Sequence, residues 1–132
     1  MRLLLDTHIW IWGLVAPERL SLVVRQALTD PDHELWLSAV SVWEALVLIR
    51  KGRLRVTGPS GAAWVAQALA RSPVHEAPLS FAIATAAEQL ALDHCDPADR
   101  LIPATAQARQ ATLITADERL IGRPGLRGIA NR

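Results

Sequence analysis

Residues 3–12 read LLLDTHIWIW, and the fold follows from how this stretch changes character at Asp6. An apolar run that starts after Arg2 and stops on an acid predicts a short strand over residues 2–6. From His8 the apolar residues continue to residue 15 and begin a helix. The same unit of short apolar strand and following helix recurs along the chain. Residues 35–37 predict a second strand, residues 112–115 a third, and residues 127–130 a weaker last one. Between them Ser21 caps a helix carrying Leu22, Val23, Gln26 and Ala27 that ends at Asp30 and Pro31. Ser38 or Ser41 opens an amphipathic helix through Trp43, Leu46, Val47 and Ile49 that stops at Gly52. Residues 62–70 and 81–92 are alanine-rich helices, the second capped by Ser80. Asp96 and Pro97 start one more, with Asp96 at the N-cap, Pro97 at N1 and Asp99 at N3. Short strands alternating with helices imply an α/β three-layer sandwich, a mostly parallel central sheet with helices on both faces.

The chain has 132 residues, and no repeat, low-complexity tract or linker divides it, so residues 1–132 are expected to form one domain. Its 51% apolar and 20% charged content describes a globular protein rather than a disordered one. The longest apolar run, residues 9–15, is far short of the roughly 20 residues that a membrane helix needs. Arg2 before an apolar stretch hints at a signal peptide, but Asp6 and His8 interrupt it, so the expected location is the cytoplasm. The single cysteine, Cys95, excludes an internal disulfide and agrees with a reducing compartment. A net charge of +1 advertises no global field for nucleic acid. Any contact with RNA must use a local patch, or cations that offset the protein's own acids.

Four acids are placed suggestively. Asp6 terminates the first strand and Asp117 lies just beyond the strand that ends at Thr115, where open α/β sheets form their sites. Glu44 lies on a helix face otherwise destined for the core, and Asp99 in a first helical turn that favours negative charge. Singly, each has an ordinary explanation as a turn former, a cap or an exposed helical residue. Gathered at one end of a sheet, they would repel one another and need a positive partner. Mg²⁺ or Mn²⁺ suits an all-oxygen donor set, and the lack of His and Cys among the four argues against zinc. His8, His33, His75 and His94 show no helical pairing and read as surface or structural residues. No phosphate-binding glycine loop is present, and Ser38, Ser41 and Ser80 lie in no nucleophile elbow.

These segments carry a family resemblance. LLLDTHIWIW at residues 3–12, SAVSVWEALVLIRKGRL at 38–54, DPADRLIPATA at 96–106 and TLITADERL at 112–120 together resemble PIN domains, specifically VapC-type toxins of bacterial toxin–antitoxin pairs. The likeness runs in order from Leu3 to Leu120. It implies a parallel sheet flanked by helices, Mg²⁺ or Mn²⁺ at the acidic site, hydrolysis of RNA phosphodiester bonds, homodimerisation, and inhibition by a small antitoxin protein. Residue by residue, it implies that Asp6, Glu44, Asp99 and Asp117 are the catalytic, metal-binding acids. Thr7, Asp96 and Thr115 match supporting positions, and Arg100 fits the DPxDR form of the subgroup. Pro103 departs from the pattern, standing where a helix former is usual. It predicts a bend or a broken i→i−4 bond beginning at Asp99, because proline has no N–H for that carbonyl.

The mechanism that follows is metal-assisted attack of water on the phosphate, giving a 5′-phosphate and a 3′-hydroxyl. Arg50, Lys51, Arg53 and Arg55 offer a path for the RNA backbone, although a solvated helix end accounts for them as well. Among the tryptophans, Trp10 and Trp12 lie nearest the first acid, while Trp36, Trp43 and Trp64 read as core or interface residues. Five tryptophans in so apolar a chain predict self-association and a protein partner. An aspartyl phosphatase would need a second acid where His8 stands, and a phosphoacceptor domain would need a lysine beside the acids, whereas Lys51 follows no strand. The remaining alternative is a PIN-like RNA- or protein-binding module without catalysis.

Overall fold

The opening leucines form β1 (Arg2–Leu5), the middle strand of a five-stranded sheet in the computed structural model, which describes residues 1–92 and 97–132. The chain continues through α1 (Thr7–Val15), a 3₁₀ turn (Pro17–Arg19), α2 (Leu22–Thr29), β2 (Glu34–Ser38), α3 (Ala39–Arg50), α4 (Gly61–Arg71) and β3 (His75–Ala77). It then forms α5 (Phe81–Gln89), α6 (Pro97–Ala108), β4 (Thr112–Thr115), a second 3₁₀ turn (Glu118–Leu120) and β5 (Gly128–Ala130). Across the sheet the order is β3-β2-β1-β4-β5, and every neighbouring pair is parallel. Leu4 of β1 stands opposite Trp36 on one side and Leu113 on the other.

Both faces of the sheet are covered, which explains why its central strands read as unbroken apolar runs. Leu3, Leu5 and Ile114 pack with Ile9 and Trp10 of α1, Val24 of α2, Ala45 of α3 and Ala68 of α4. Leu4 and Leu113 point the other way, to Ile102 and Ala106 of α6 and to Leu120 and Leu126. α5 adds to that side by packing Ile83 and Ala87 against Ala104 of α6. Leu3, Leu4 and Leu113 are wholly buried, each contributing about 1.5–3 kcal/mol. Sequence order runs outward from β1 in one direction and then restarts at β4 in the other. Such a reversal opens a crevice beyond the carboxyl ends of the two central strands.

Local chemistry sets the helix ends. The side chains of Ser21, Ser38, Ser60 and Ser80 accept bonds from first-turn amides of α2, α3, α4 and α5. α3 stops where Gly52 takes a φ of +72°, with Gly52 N–H donating to the Ile49 carbonyl and Arg53 N–H to that of Leu48. No helix among the described residues is long and apolar enough to cross a membrane.

Two expectations change, and the one for Pro103 is met in part. The edge strand β3 was not anticipated; only Ala77 of its residues is buried, so it carries almost no apolar signal. α5 ends at Gln89 rather than at residue 92. There the Arg100 guanidinium donates to the carbonyls of Ala87 (3.1 Å), Leu90 (3.0 Å) and Leu92, giving that chain end partners other than helical amides. Pro103 does not interrupt α6, which stays one helix from Pro97 to Ala108. The Asp99 carbonyl still lacks an amide partner at residue 103, but Ile102, Pro103, Ala104, Thr105 and Ala106 are all buried. The i→i−4 bond expected to break at Asp99 is therefore missing, while α6 continues through this buried segment.

Candidate active site

Asp6 is the first residue past β1 and the N-cap of α1, so two elements fix its backbone at once. Its amide donates to the Ile114 carbonyl of β4 (2.9 Å), and its Oδ1 accepts from the amide of Thr7 (2.9 Å). Its other oxygen, Oδ2, accepts from the hydroxyl of Thr115 at 2.6 Å. That same hydroxyl oxygen accepts from the amide of Asp117 (2.9 Å). Thr115, wholly buried, therefore ties the acid after β1 to the acid after β4 through one oxygen atom.

Glu44 comes from α3 and is held from the other side. Thr7 Oγ1 lies 2.8 Å from Glu44 Oε1 and 2.9 Å from Ser41 Oγ. An ionised carboxylate only accepts, so the single threonine proton goes to Glu44 and Ser41 donates to Thr7. Ser41 is one turn before Glu44 on the same helix face and is fully buried. Asp99 stands in the first turn of α6, exposed.

All four acids line one open cleft of about 380 Å³, together with Thr7, His8, Trp12, Ala116 and Arg119. Asp117 is also the N-cap of the second 3₁₀ turn, where its Oδ1 accepts from the amide of Arg119 (3.1 Å). The Arg119 side chain returns to the same carboxylate, Nε to Oδ1 and Nη2 to Oδ2, both at 2.9 Å. As the side chains stand, no three His, Cys, Asp or Glu residues among those described are grouped closely enough to hold a metal ion. The donor chemistry nevertheless fits a hard divalent cation: carboxylate oxygens at one cleft, two of them aimed by threonine hydroxyls.

Other residues singled out in the sequence lie elsewhere. Arg100 is spent on the carbonyls of Ala87 in α5 and of Leu90 just beyond it, and does not line the cleft. Asp96, His94 and Cys95 fall outside the described residues. The basic residues Arg50, Lys51, Arg53 and Arg55 are exposed at the end of α3 and contribute nothing to the cleft wall. Trp10 and Trp12 part company. Trp10 is core, edge-on to Trp64 at 6.3 Å, whereas Trp12 reaches the cleft with Arg19 over its ring at 4.2 Å and His8 at 5.6 Å. Sequence reasoning passed over three site residues: Ser41, Arg119, and His8 as a lining group. One-turn spacing from Glu44 marks Ser41, and a cation two residues after a strand-end acid marks Arg119.

A parallel sheet covered on both faces, with acids gathered where its strand order reverses, defines an α/β domain built around an acidic crevice. Residues 3–125 match the model of the PIN domain, and the chain belongs to that family. Ribonuclease VapC22 of Mycobacterium tuberculosis is 37% identical over 120 residues, which cover 89% of this chain and 88% of that protein. Among solved structures, VapBC2 from Rickettsia felis bound to a promoter DNA fragment superposes with a TM-score of 0.72 at 18% identity, covering 98% of each chain. A toxin–antitoxin complex from Klebsiella pneumoniae gives 0.69 at 22% identity, covering 98% of this chain and 97% of that one. At these identities the two structures speak to the fold.

Proposed function

We propose that the chain is a Mg²⁺- or Mn²⁺-dependent endoribonuclease, the toxin of a toxin–antitoxin pair, acting as one domain over residues 1–132 in the cytoplasm. The observation that carries this reading is the meeting of Asp6, Glu44, Asp99 and Asp117 on one cleft at the ends of β1 and β4. The 37% identity to a ribonuclease over most of the chain supports the RNA substrate. Asp6, Glu44, Asp99 and Asp117 would hold the cation. Its chemistry is to neutralise charge that builds on the phosphoryl oxygens and to lower the pKa of attacking water.

The chain's own residues do the rest. Thr115 and Thr7 donate to the Asp6 and Glu44 carboxylates and so orient one oxygen of each. Ser41 supports Thr7 from below. Hydrolysis breaks the P–O3′ bond, with water oxygen joining phosphorus and a proton ending on the 3′-oxygen. Arg100 supports the site only indirectly, by tying α6 to the carbonyls of Ala87, Leu90 and Leu92 at and just beyond the end of α5.

A homodimer and a small antitoxin protein complete the proposal. Trp43 and Phe81 are 60% and 96% exposed, large apolar side chains that a partner could cover. A separate groove lined by Leu37, Val42, Leu69 and Val74 offers an apolar seat to a partner segment.

The test is cleavage of a labelled RNA by purified protein with Mg²⁺ or Mn²⁺, with chelator, and with Asp6→Asn. Cleavage that needs the cation and is lost in Asp6→Asn, with the melting curve retained, is the expected result. RNA binding with no cation-dependent cleavage would identify instead a binding module without catalysis.

A further inference from the structure

Arg119 stands apart from the other cations near the cleft because one edge of its guanidinium grips a site acid through two N–H groups. Nε and Nη2 meet Oδ1 and Oδ2 of Asp117 at 2.9 Å, and Arg119 N–H meets Oδ1 as well. The residue lines the same cleft as Asp6, Glu44 and Asp99. Its backbone is fixed in the 3₁₀ turn, where its carbonyl accepts from Arg123 Nε (2.9 Å), but the side chain is 59% exposed and has room to swing. A guanidinium fork fits a carboxylate and a phosphate with the same two-point geometry.

We infer that Arg119 is an internal counter-ion that competes with a divalent cation for Asp117 and passes to the substrate's phosphate when the cation binds. This rests on the metal-dependent nuclease reading above and adds a positioning residue to it. Without a cation, the fork offsets repulsion among the acids and draws the Asp117 carboxylate into its own turn. With a cation on Asp117, the fork loses both acceptors, and an RNA phosphodiester in the cleft supplies two oxygens in their place. Cation and RNA then favour each other's binding, since each helps to complete the exchange.

The experiment is calorimetric titration of the whole protein with Mn²⁺ alone, paired with steady-state cleavage of one RNA. Wild type is compared with Arg119→Ala and with Arg119→Lys, which keeps the charge and loses the fork. Arg119→Ala should bind Mn²⁺ about twofold to fivefold tighter, the scale set by an exposed ion pair, and melt lower without metal. It should also cleave with a raised KM and a lower kcat/KM, Arg119→Lys falling between. Equal or weaker Mn²⁺ binding by Arg119→Ala overturns the competition, and an unchanged kcat/KM overturns the transfer to phosphate. Wild type that binds Mn²⁺ and cleaves RNA just as the variants do sinks this inference alone. Wild type that does neither sinks the nuclease reading and this inference with it.

Discussion

Replacing Thr115 by valine keeps the shape of the side chain and removes the oxygen that joins two site acids. The hydroxyl donates to Asp6 Oδ2 at 2.6 Å and accepts from the Asp117 amide at 2.9 Å. A hydrogen bond to a charged group is worth about 1.5–3 kcal/mol. The orphaned amide adds up to about another 1 kcal/mol, but Asp6 is only half-buried, so water recovers part of the loss. The expected cost is about 1.5–3 kcal/mol, or a drop of roughly 5–12 °C in Tm for a chain of this size. Thr115→Ser keeps the oxygen and gives up one methyl group, a loss of only about 1 kcal/mol. Metal-free melts followed by circular dichroism measure both variants. Cleavage by Thr115→Val should fall roughly tenfold or more, as when a ligand loses the group that orients it. If Thr115→Val melts within about 2 °C of wild type, or Thr115→Ser falls as far as valine, the oxygen bridge is not what holds these acids.

Mn²⁺ at a hundredfold excess over its Kd should stabilise wild type by about 2.7 kcal/mol, and the gain should shrink in Asp99→Asn. A wild-type melt that ignores Mn²⁺ would count against a cation site. Arg100→Met should lower stability by about 2–3 kcal/mol through the carbonyls it abandons, while leaving kcat within about threefold; a wild-type Tm with lost cleavage would place Arg100 in the chemistry instead. Pro103→Ala gains up to about 3 kcal/mol of helix propensity and loses about as much from a buried ring and a freer unfolded chain. Its Tm should stay within about 4 °C of wild type, and a rise beyond about 10 °C would reveal strain that packing does not offset.

The acids at the strand ends were readable because local pattern carries them. An apolar run that breaks on Asp6, and another that breaks just before Asp117, mark strand ends whatever the rest of the chain does. Glu44 was readable from the spacing of its helix, and Asp99 from the proline that opens α6. The serine caps and the stop at Gly52 are equally local, set by side chains within four residues of the amides they serve. β3 was hidden because an edge strand with one buried residue has no periodicity to detect. At Pro103 the missing amide was readable, but the continuation of α6 past it was not, since propensity describes an isolated helix and residues 102–106 are buried. What joins the acids into a site lies beyond any local reading. Thr115 meets Asp6 across 109 positions and Thr7 meets Glu44 across 37, distances that only the strand order β2-β1-β4 closes. Which partner Arg119 takes is a tertiary matter too, since its long side chain follows whatever charge the assembled cleft presents.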